Sequence, residues 1–502
     1  MKEGRKRRSL RLQAGRRLPA NKGAAPVEKM KGLTEDHLYL DYFNQNADCI
    51  FPLHTSISLF LLSYCDCKTF RVFLVLPVET ASDAQPKDKV LPKDLDICFI
   101  RRCQLPLVVQ SCCLPAVVEK NGRFCRAGLA VVLRHIVQKT YEADPSKEDI
   151  LELLGFKKTC LKACAEGFSK KHQENLLRLP LISSWFQRVQ EVPGIKRAAA
   201  KCNMQFLPHQ GSVSLSDEHM QFICTASDEP EEEHEDTSFI GGPRPTMTKL
   251  MKSGIEATFS PHPCPSWALD WDSLPAAVNP GEGKMSSDRA FRKQQQLNNM
   301  VALVKKLAKP GDKIVDFCSG GGHVGIVLAH ILPSCQIILV ENKELSLTRA
   351  EERSSVLGLN NIWFIQANMD YFKGAFNIGV ALHACGVATD MVIERCVKAH
   401  AAFVISPCCY GFIQNTAKFA FPQSRQFKEV LSYKEHMILC RFADQTAVQL
   451  PSERRQIGKH CMGLVDLDRA WGVEKCNYSA QVISMVPETC SPKNNLIVGV
   501  PI

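Results

Sequence analysis

The 502-residue sequence contains no run of about eighteen apolar residues, the length that a membrane-spanning helix needs. Its longest apolar segments, SLFLLSYC and FRVFLVLP, are typical of core strands or a buried helix. The basic amino-terminal stretch lacks the apolar region of a secretory signal, so the 23 cysteines are expected to be thiols in a reducing compartment. We therefore expect a cytosolic protein without a membrane partner. The run RKRR at 5–8 leaves import into the nucleus open.

No repeat of fixed period is found, which excludes a solenoid, and the pattern changes divide the chain into five segments. Residues 1–38 form a basic tail that we expect to be disordered. Residues 39–124 alternate short apolar runs with turn residues, a mixed α/β pattern, and residues 125–205 have apolar residues at helical spacing. Residues 206–288 hold the acidic run DEPEEEHED with many prolines and glycines, which predicts a linker. Residues 289–502 alternate strands and helices.

The strands predicted in the last segment are apolar without alternation. KIVDFCSG, CQIILVEN, IWFIQAN, FNIGVALHACG and AFVISPCC are separated by helical stretches such as GHVGIVLAHIL and ELSLTRAEERSSVLG. A strand without alternation is buried on both faces, so we expect a parallel sheet covered by helices. Such a sheet binds ligands at the carboxyl ends of its strands, near the topological switch point.

Three adjacent glycines, Gly320, Gly321 and Gly322, lie between the first of these strands and its helix. Without side chains there, a ligand can approach the backbone closely, and the start of the helix offers unpaired N–H groups. The sequence therefore predicts a cofactor site at this turn.

Acidic residues accompany the first two of these strands. Asp316 lies near the end of the first, where it either holds the turn or meets a cationic group of the ligand. Glu341 ends the second strand, a position that suits the two hydroxyls of a ribose. An acid before the glycines repels a pyrophosphate, so we favour S-adenosylmethionine over a nicotinamide dinucleotide. A Rossmann-like sheet that binds nothing stays the third alternative.

His383, Cys385, Cys408 and Cys409 are expected at the ends of two neighbouring strands, near the cofactor site. Three interpretations stay open. The cluster lines a substrate pocket, with His383 as base or orienting group and Tyr410 stacking on a planar substrate. In the second interpretation the cluster holds zinc, and in the third its cysteines pack as small apolar residues. The H-x-C and C-C spacings match no zinc-finger signature, so we predict no metal.

The segments DFCSGGGHVG, VEN, LHACGVATD and SPCCYG, in this order, resemble the methyltransferase-like domain of the glutathione S-transferase C-terminal domain-containing family. The resemblance extends over about 239–502 and includes GGPRPTMTKLM and SPHPCP. It implies a Rossmann-like sheet that binds S-adenosylmethionine. Methyltransferases of this kind usually carry D-x-G-x-G-x-G at the turn, whereas Cys318 replaces the first glycine here. The cysteine in place of this glycine bears on catalytic activity more than on binding of the cofactor.

CCLPAVVE followed by CRAGLAVVLRHIVQ resembles the junction between the thioredoxin-like module and the helical domain of glutathione transferases. The resemblance implies a cis-proline at Pro115. The acid–serine pair that binds glutathione in that family is missing near Gly128 and Leu129, and only Cys65 and Cys67 lie near the place of the nucleophile. PLISSWFQRVQ is similar to later transferase helices, but a long insert before it is absent. We therefore expect an incomplete, non-conjugating interaction module.

The predicted fold is α/β: a carboxyl-terminal Rossmann-like methyltransferase sheet and an incomplete amino-terminal glutathione-transferase-like region. The latter has a thioredoxin-like module (39–124) and a truncated helical domain (125–205). We expect an S-adenosylmethionine-dependent methyltransferase acting on RNA or protein, with a protein partner on the helical domain. The alternative is a non-enzymatic scaffold. The candidate catalytic residues are His383 and Tyr410, and the candidate cofactor-binding residues are Asp316, Cys318, Gly320, Gly321, Gly322, Glu341, Asn368 and Asp370, of which the last two would flank an adenine.

Overall fold

The computed structural model describes residues 35–42, 51–76, 91–157, 194–202, 242–283 and 285–502. They fall into two compact units. The carboxyl-terminal unit contains Pro243–Phe364 and Ala375–Ile502, and the amino-terminal unit contains the described parts of Gly32–Gly242 together with Ile365–Gly374. The basic run at 5–8, the acidic run and the predicted helix PLISSWFQRVQ lie outside the described residues.

The amino-terminal unit has a small mixed sheet in the order β5-β4-β1-β2-β3. β1 is parallel to β2 and antiparallel to β4. Its elements are β1 (Asp36–Asp41), α1 (Leu53–Tyr64), β2 (Phe70–Leu76), β3 (Ile97–Arg101), α2 (Leu107–Gln110), β4 (Ala116–Val118), β5 (Phe124–Ala127), α3 (Leu129–Ala143) and α4 (Ile195–Lys201). The first strand thus begins at Asp36, inside the segment that the sequence assigns to the tail.

The cis-proline that the sequence predicts at Pro115 is present in this unit. The Leu114–Pro115 peptide is cis and directly precedes β4. Cys65 and Cys67 are buried in the unit's apolar core, and burial raises the pKa of Cys65 to about 12. A nucleophilic thiol needs a lowered pKa, so this environment favours packing over catalysis.

The carboxyl-terminal unit carries the strand–helix alternation. Its elements are α5 (Arg244–Lys252), α6 (Ser287–Leu307), β6 (Lys313–Phe317), α7 (His323–Ile331), β7 (Gln336–Glu341), α8 (Glu344–Val356), β8 (Ile362–Gln366), β9 (Ile378–Cys385), α9 (Ala388–Lys398), β10 (Ala402–Cys408), α10 (Arg425–Val430), α11 (Tyr433–Ala443), α12 (Ser452–Gly472), β11 (Tyr478–Ser484) and β12 (Asn495–Pro501). Within the described ranges, no helix is long and apolar enough to cross a membrane.

The sheet of this unit has the order β11-β12-β10-β9-β6-β7-β8. Strands β7, β6, β9 and β10 are parallel, whereas β12 runs antiparallel to β10 and β11 antiparallel to β12. The chain first builds outward from β6 to β8 and then crosses to β9 on the other side of β6. This reversal between β6 and β9 is the switch point, and it opens a crevice at their carboxyl ends. The predicted parallel, doubly covered α/β sheet is confirmed.

The segment that the sequence assigns to a linker is ordered within this unit over its described part. Leu250 of α5 is fully buried in the same apolar cluster as Phe427 and Leu439. The indole N–H of Trp271 donates to Asn298 Oδ1 at 3.0 Å. Residues 243–283 therefore extend the carboxyl-terminal unit toward the amino terminus.

Candidate functional site

The glycine turn between β6 and α7 is open on one side and packed on the other. Gly320 and Gly322 have φ of +54° and +71°, a conformation in which glycine is favoured. A Cβ built on Gly320 meets no atom within 4 Å, whereas one on Gly322 lies 2.7 Å from Leu339 Cδ2. The glycine at 322 therefore lets the helix pack on β7, and the glycine at 320 leaves space for a ligand against the backbone.

Glu341 lies beside this space, as the sequence predicts for an acid at the end of the second strand. The Gly320 N–H donates to Glu341 Oε2 at 2.8 Å, and the N–H groups of Asn342 and Lys343 donate to Oε1 at 2.9 Å. These three bonds hold the carboxylate against the turn. A carboxylate has about four acceptor positions, two on each oxygen, so Oε2 retains one for a hydroxyl donor.

Asp316 takes the first of the two roles that the sequence leaves open. Its side chain is 1% exposed, and Oδ2 accepts the Gly325 N–H at 2.9 Å, inside the first turns of α7. Burial raises the pKa of Asp316 to about 7, with a further contribution from the charge of Glu341. Asp316 therefore braces the helix from below and carries only part of a charge at neutral pH. The expected contact with a cationic ligand group is not favoured by this position.

Cys318 begins the turn with φ of +53°, in the place of the family's first glycine. Burial raises the pKa of its thiol to about 12, and the charge of Glu341 adds to the shift. The thiol is therefore protonated at neutral pH. A non-glycine residue in this conformation is held by its surroundings, and such residues cluster at functional sites.

Arg353, on α8, supports the turn and was missed in the sequence. Its Nη1 donates to the Gly321 carbonyl at 2.9 Å, and its Nε donates to the Ala277 carbonyl at 3.0 Å. The guanidinium thus connects the glycine turn to Ala277, which lies in the segment that the sequence assigns to a linker. The stretch ELSLTRAEERSSVLG carries two arginines among three glutamates, and its periodicity does not distinguish Arg353 from solvent-facing neighbours.

His383 occupies a bulge at the carboxyl end of β9. Ser406 pairs with Leu382 and Pro407 with Ala384, so the register skips His383, whose φ is +69°. Its Nε2 lies 3.1 Å from Gln296 Oε1. Because Gln296 Nε2 donates to the Cys490 carbonyl, its oxygen must accept from His383, which assigns the proton to Nε2 and leaves Nδ1 as an acceptor.

The surroundings of His383 suit a role in orienting a substrate better than a role in accepting a proton from it. Burial lowers its pKa to about 4, and the positive charge of Lys293 adds to the effect. The imidazole is therefore neutral at physiological pH. A general base works best with a pKa near the operating pH, so the orienting alternative is the stronger of the two that the sequence left open.

Tyr410 is fully buried, which argues against the predicted stacking on a substrate. Its hydroxyl donates to Asp466 Oδ2 at 2.6 Å, and the Arg469 guanidinium lies 5.7 Å from its ring centre. Burial and the charge of Asp466 raise its pKa. The exposed aromatic ring here belongs instead to Phe412, two residues later, which is 74% exposed.

Three cysteine thiols meet where β9 and β10 end. Cys385 Sγ lies 3.0 Å from Cys408 Sγ, and the sulfurs of Cys385, Cys408 and Cys409 all lie within 4.8 Å of one another. His383, which the sequence grouped with them, is outside this cluster and bonds to Gln296.

Asn368 and Asp370 follow β8 in the segment Ile365–Gly374, which groups with the amino-terminal unit. Asn368 Oδ1 accepts the Asp370 N–H at 3.2 Å, so Asn368 caps the short 3-10 helix Met369–Tyr371. Their contact with an adenine stays a prediction.

Residues 292–416 match the family model described as a methyltransferase domain. A magnesium protoporphyrin IX methyltransferase from Synechocystis, crystallised with bound S-adenosylmethionine, covers 44% of this chain and 86% of its own at 14% identity and a TM-score of 0.27. A ribosomal RNA small subunit methyltransferase G of Bacteroides thetaiotaomicron is 33% identical over 73 residues, 14% of this chain and 35% of the relative.

A much longer similarity is to a glutathione S-transferase C-terminal domain-containing protein of Homo sapiens. It is 51% identical over 630 aligned positions, which cover 94% of this chain and 99% of the relative. Because the chain has 502 residues, the relative contains segments that this chain lacks, as expected from the missing insert. The chain belongs to the family of glutathione S-transferase C-terminal domain-containing proteins.

Proposed function

We propose that the carboxyl-terminal unit is an S-adenosylmethionine-dependent methyltransferase. The observation that carries the proposal is the open space at Gly320 beside the Glu341 carboxylate, at the switch point of the sheet. The match of residues 292–416 to a methyltransferase domain supports it. The same geometry favours this cofactor over a dinucleotide, because Glu341 already takes the Gly320 N–H that would otherwise face a pyrophosphate.

The residues of the turn would hold the cofactor through backbone and carboxylate contacts. Gly320 and Gly321 would admit it to the main chain, and Glu341 Oε2 would accept from a ribose hydroxyl, while Arg353 and Asp316 keep the turn in place. The cofactor supplies a methyl group on a sulfonium, which an in-line displacement moves to the acceptor. Cys318, Gly322, Asn368 and Asp370 remain proposed contributors from the sequence.

Titration calorimetry of the full chain tests this proposal. We expect binding of S-adenosylmethionine and of its demethylated product, and no heat with a nicotinamide dinucleotide. A folded protein that gives no heat with either sulfur compound would leave the scaffold alternative, and binding of the dinucleotide alone would reverse the cofactor assignment.

We propose RNA as the class of methyl acceptor. The ring of Phe412 is exposed beside the ends of β9 and β10, since the Phe412 backbone packs against Gly386. The first turns of α6 expose Arg289, Arg292 and the ring of Phe291, which is 60% exposed. Aromatic rings with cationic neighbours are how single-stranded RNA is bound. The short similarity to a ribosomal RNA methyltransferase supports this class.

Replacing Phe412 by alanine is expected to weaken binding of a single-stranded RNA oligonucleotide by about tenfold, since stacking contributes roughly 1–3 kcal/mol per base. Filter binding measures the affinity. Val356→Ala is the control, because this 79% exposed side chain ends α8, on the side of the sheet where the parallel strands begin, whereas Phe412 lies where they end. Equal RNA affinity of the two variants contradicts the stacking role. Transfer of a labelled methyl group to cellular protein rather than RNA would contradict the acceptor class.

Two further parts of the proposal rest on sequence. We keep a cytosolic location, because 23 cysteines suit a reducing compartment. We also keep the amino-terminal region as an interaction module without glutathione conjugation. Its support is the absence of an acid–serine pair at Gly128 and Leu129 and the buried state of Cys65 and Cys67.

A further inference from the structure

The three thiols at the ends of β9 and β10 form a compact set of metal-ligand atoms. Cys385 ends β9, Cys408 ends β10, and Cys409 follows it. In the part of the chain that the structure describes, no other group of three His, Cys, Asp or Glu side chains brings its ligand atoms together in this way. Nothing in the proposed cofactor site uses these sulfurs.

The backbone is arranged to bring the sulfurs together. Side chains alternate along a strand, so without the bulge at His383 the residue opposite Cys408 would be Ala384, and Cys385 would lie on the other face. The skipped residue places Cys385 directly opposite Cys408. Cys409 then adopts φ of +52°, which turns the chain so that the third sulfur returns to the same side. Bulges and left-handed residues of this kind often aim side chains at functional sites.

The ligand set selects the class of ion. Thiolate sulfur prefers thiophilic ions such as Zn²⁺, whereas Mg²⁺ and Ca²⁺ prefer oxygen. Tetrahedral Zn–S bonds of about 2.3 Å place two sulfurs about 3.8 Å apart. The Cys385 and Cys408 sulfurs are 3.0 Å apart and all three sulfurs lie within 4.8 Å of one another, so the set is close to this spacing. Small side-chain rotations are therefore enough to accommodate the ion.

Access and charge are also suitable. Cys385 is exposed, so the cluster opens to solvent, while Cys408 is buried. Lys293 is electrostatically coupled to Cys408 and supplies positive charge against three thiolates.

We propose that Cys385, Cys408 and Cys409 bind one thiophilic metal ion of the zinc class, with the fourth position open to solvent. The ion would join the ends of β9 and β10 and anchor the turn Tyr410–Phe412, which carries the exposed ring of Phe412. The H-x-C and C-C spacings do not indicate the site, because the alignment of Cys385 with Cys408 depends on the bulge.

Metal analysis of the full chain tests the site. The protein is reduced, loaded with Zn²⁺, desalted and analysed for zinc, and cobalt substitution is followed by thiolate-to-metal absorption. We expect the double variant Cys385→Ser/Cys409→Ser to retain about one equivalent of zinc less than the unmodified chain and to lose the cobalt–thiolate band of this site. Neither cysteine is fully buried, so serine at both positions is compatible with folding, which circular dichroism checks.

Other thiols in a chain with 23 cysteines require a matched control. Cys476→Ser removes a partly exposed thiol of the same unit away from the cluster. We expect its zinc content and cobalt spectrum to be unchanged. Equal zinc in the unmodified chain and the double variant overturns the proposal, and so does an equal loss in Cys476→Ser. The result is independent of whether S-adenosylmethionine binds.

Discussion

Replacing Gly320 by alanine is expected to weaken binding of S-adenosylmethionine by at least about tenfold while the protein stays folded. The added methyl group meets no protein atom within 4 Å, so it enters only the space that we assign to the ligand. The backbone cost of alanine at φ of +54° is about 1 kcal/mol, which a folded domain tolerates. Calorimetric titration of the variant and the unmodified chain measures the change in affinity.

Gly358→Ala is the matched control for this change. Gly358 has φ of +62° and also has no atom within 4 Å of a built Cβ, but it follows α8 at the other edge of the sheet. The two alanines therefore carry a similar backbone cost and differ in position. If both variants bind the cofactor as the unmodified chain does, the ligand does not lie against Gly320. Gly322→Ala is less informative, because its methyl group would collide with Leu339.

Arg469→Met is expected to destabilise the carboxyl-terminal unit by about 3–5 kcal/mol, the usual cost of removing one partner from a buried ion pair. Arg469 is 1% exposed. Its Nε and Nη2 donate to the two oxygens of Asp390 at 3.0 and 2.8 Å, and its Nη1 donates to Asp466 at 3.3 Å. Nη2 also donates to the Gly386 carbonyl at 3.0 Å. Methionine fills much of the volume but leaves two carboxylates buried without their cation.

Thermal unfolding measures this effect, and we expect the midpoint of the unit to fall by roughly 10 °C. Arg425→Met is the control, because Arg425 makes an ion pair with Glu429 on an exposed helix face, its side chain being 89% exposed. Solvent screens such a pair, so only a small shift is expected. Similar shifts for both variants would mean that burial of the Arg469 network contributes little. The network matters for the site as well, since Asp466 holds Tyr410 and Arg469 holds the loop after Cys385.

The fold of the carboxyl-terminal unit follows from local sequence. Apolar strands without alternation require burial on both faces, and this requirement together with alternating helices predicts the parallel sheet that the structure contains. Gly320 and Glu341 were placed for a similar reason, whereas the cis-proline at Pro115 was implied by the resemblance to glutathione transferases. A glycine run after a buried strand and an acid at a strand end are local patterns with few alternatives. The order of residues is enough to place them.

The burial and pairing of side chains were decided by tertiary structure. Tyr410 and Phe412 are two residues apart, and only the packing of α12 makes the first a buried hydrogen-bond donor and the second an exposed ring. Arg353 braces the glycine turn across the chain, and the bulge at His383 aligns Cys385 with Cys408. Local sequence specifies periodicity, because that depends on neighbouring residues. Register, burial and long-range partners depend on which elements meet, and the folded chain alone determines them.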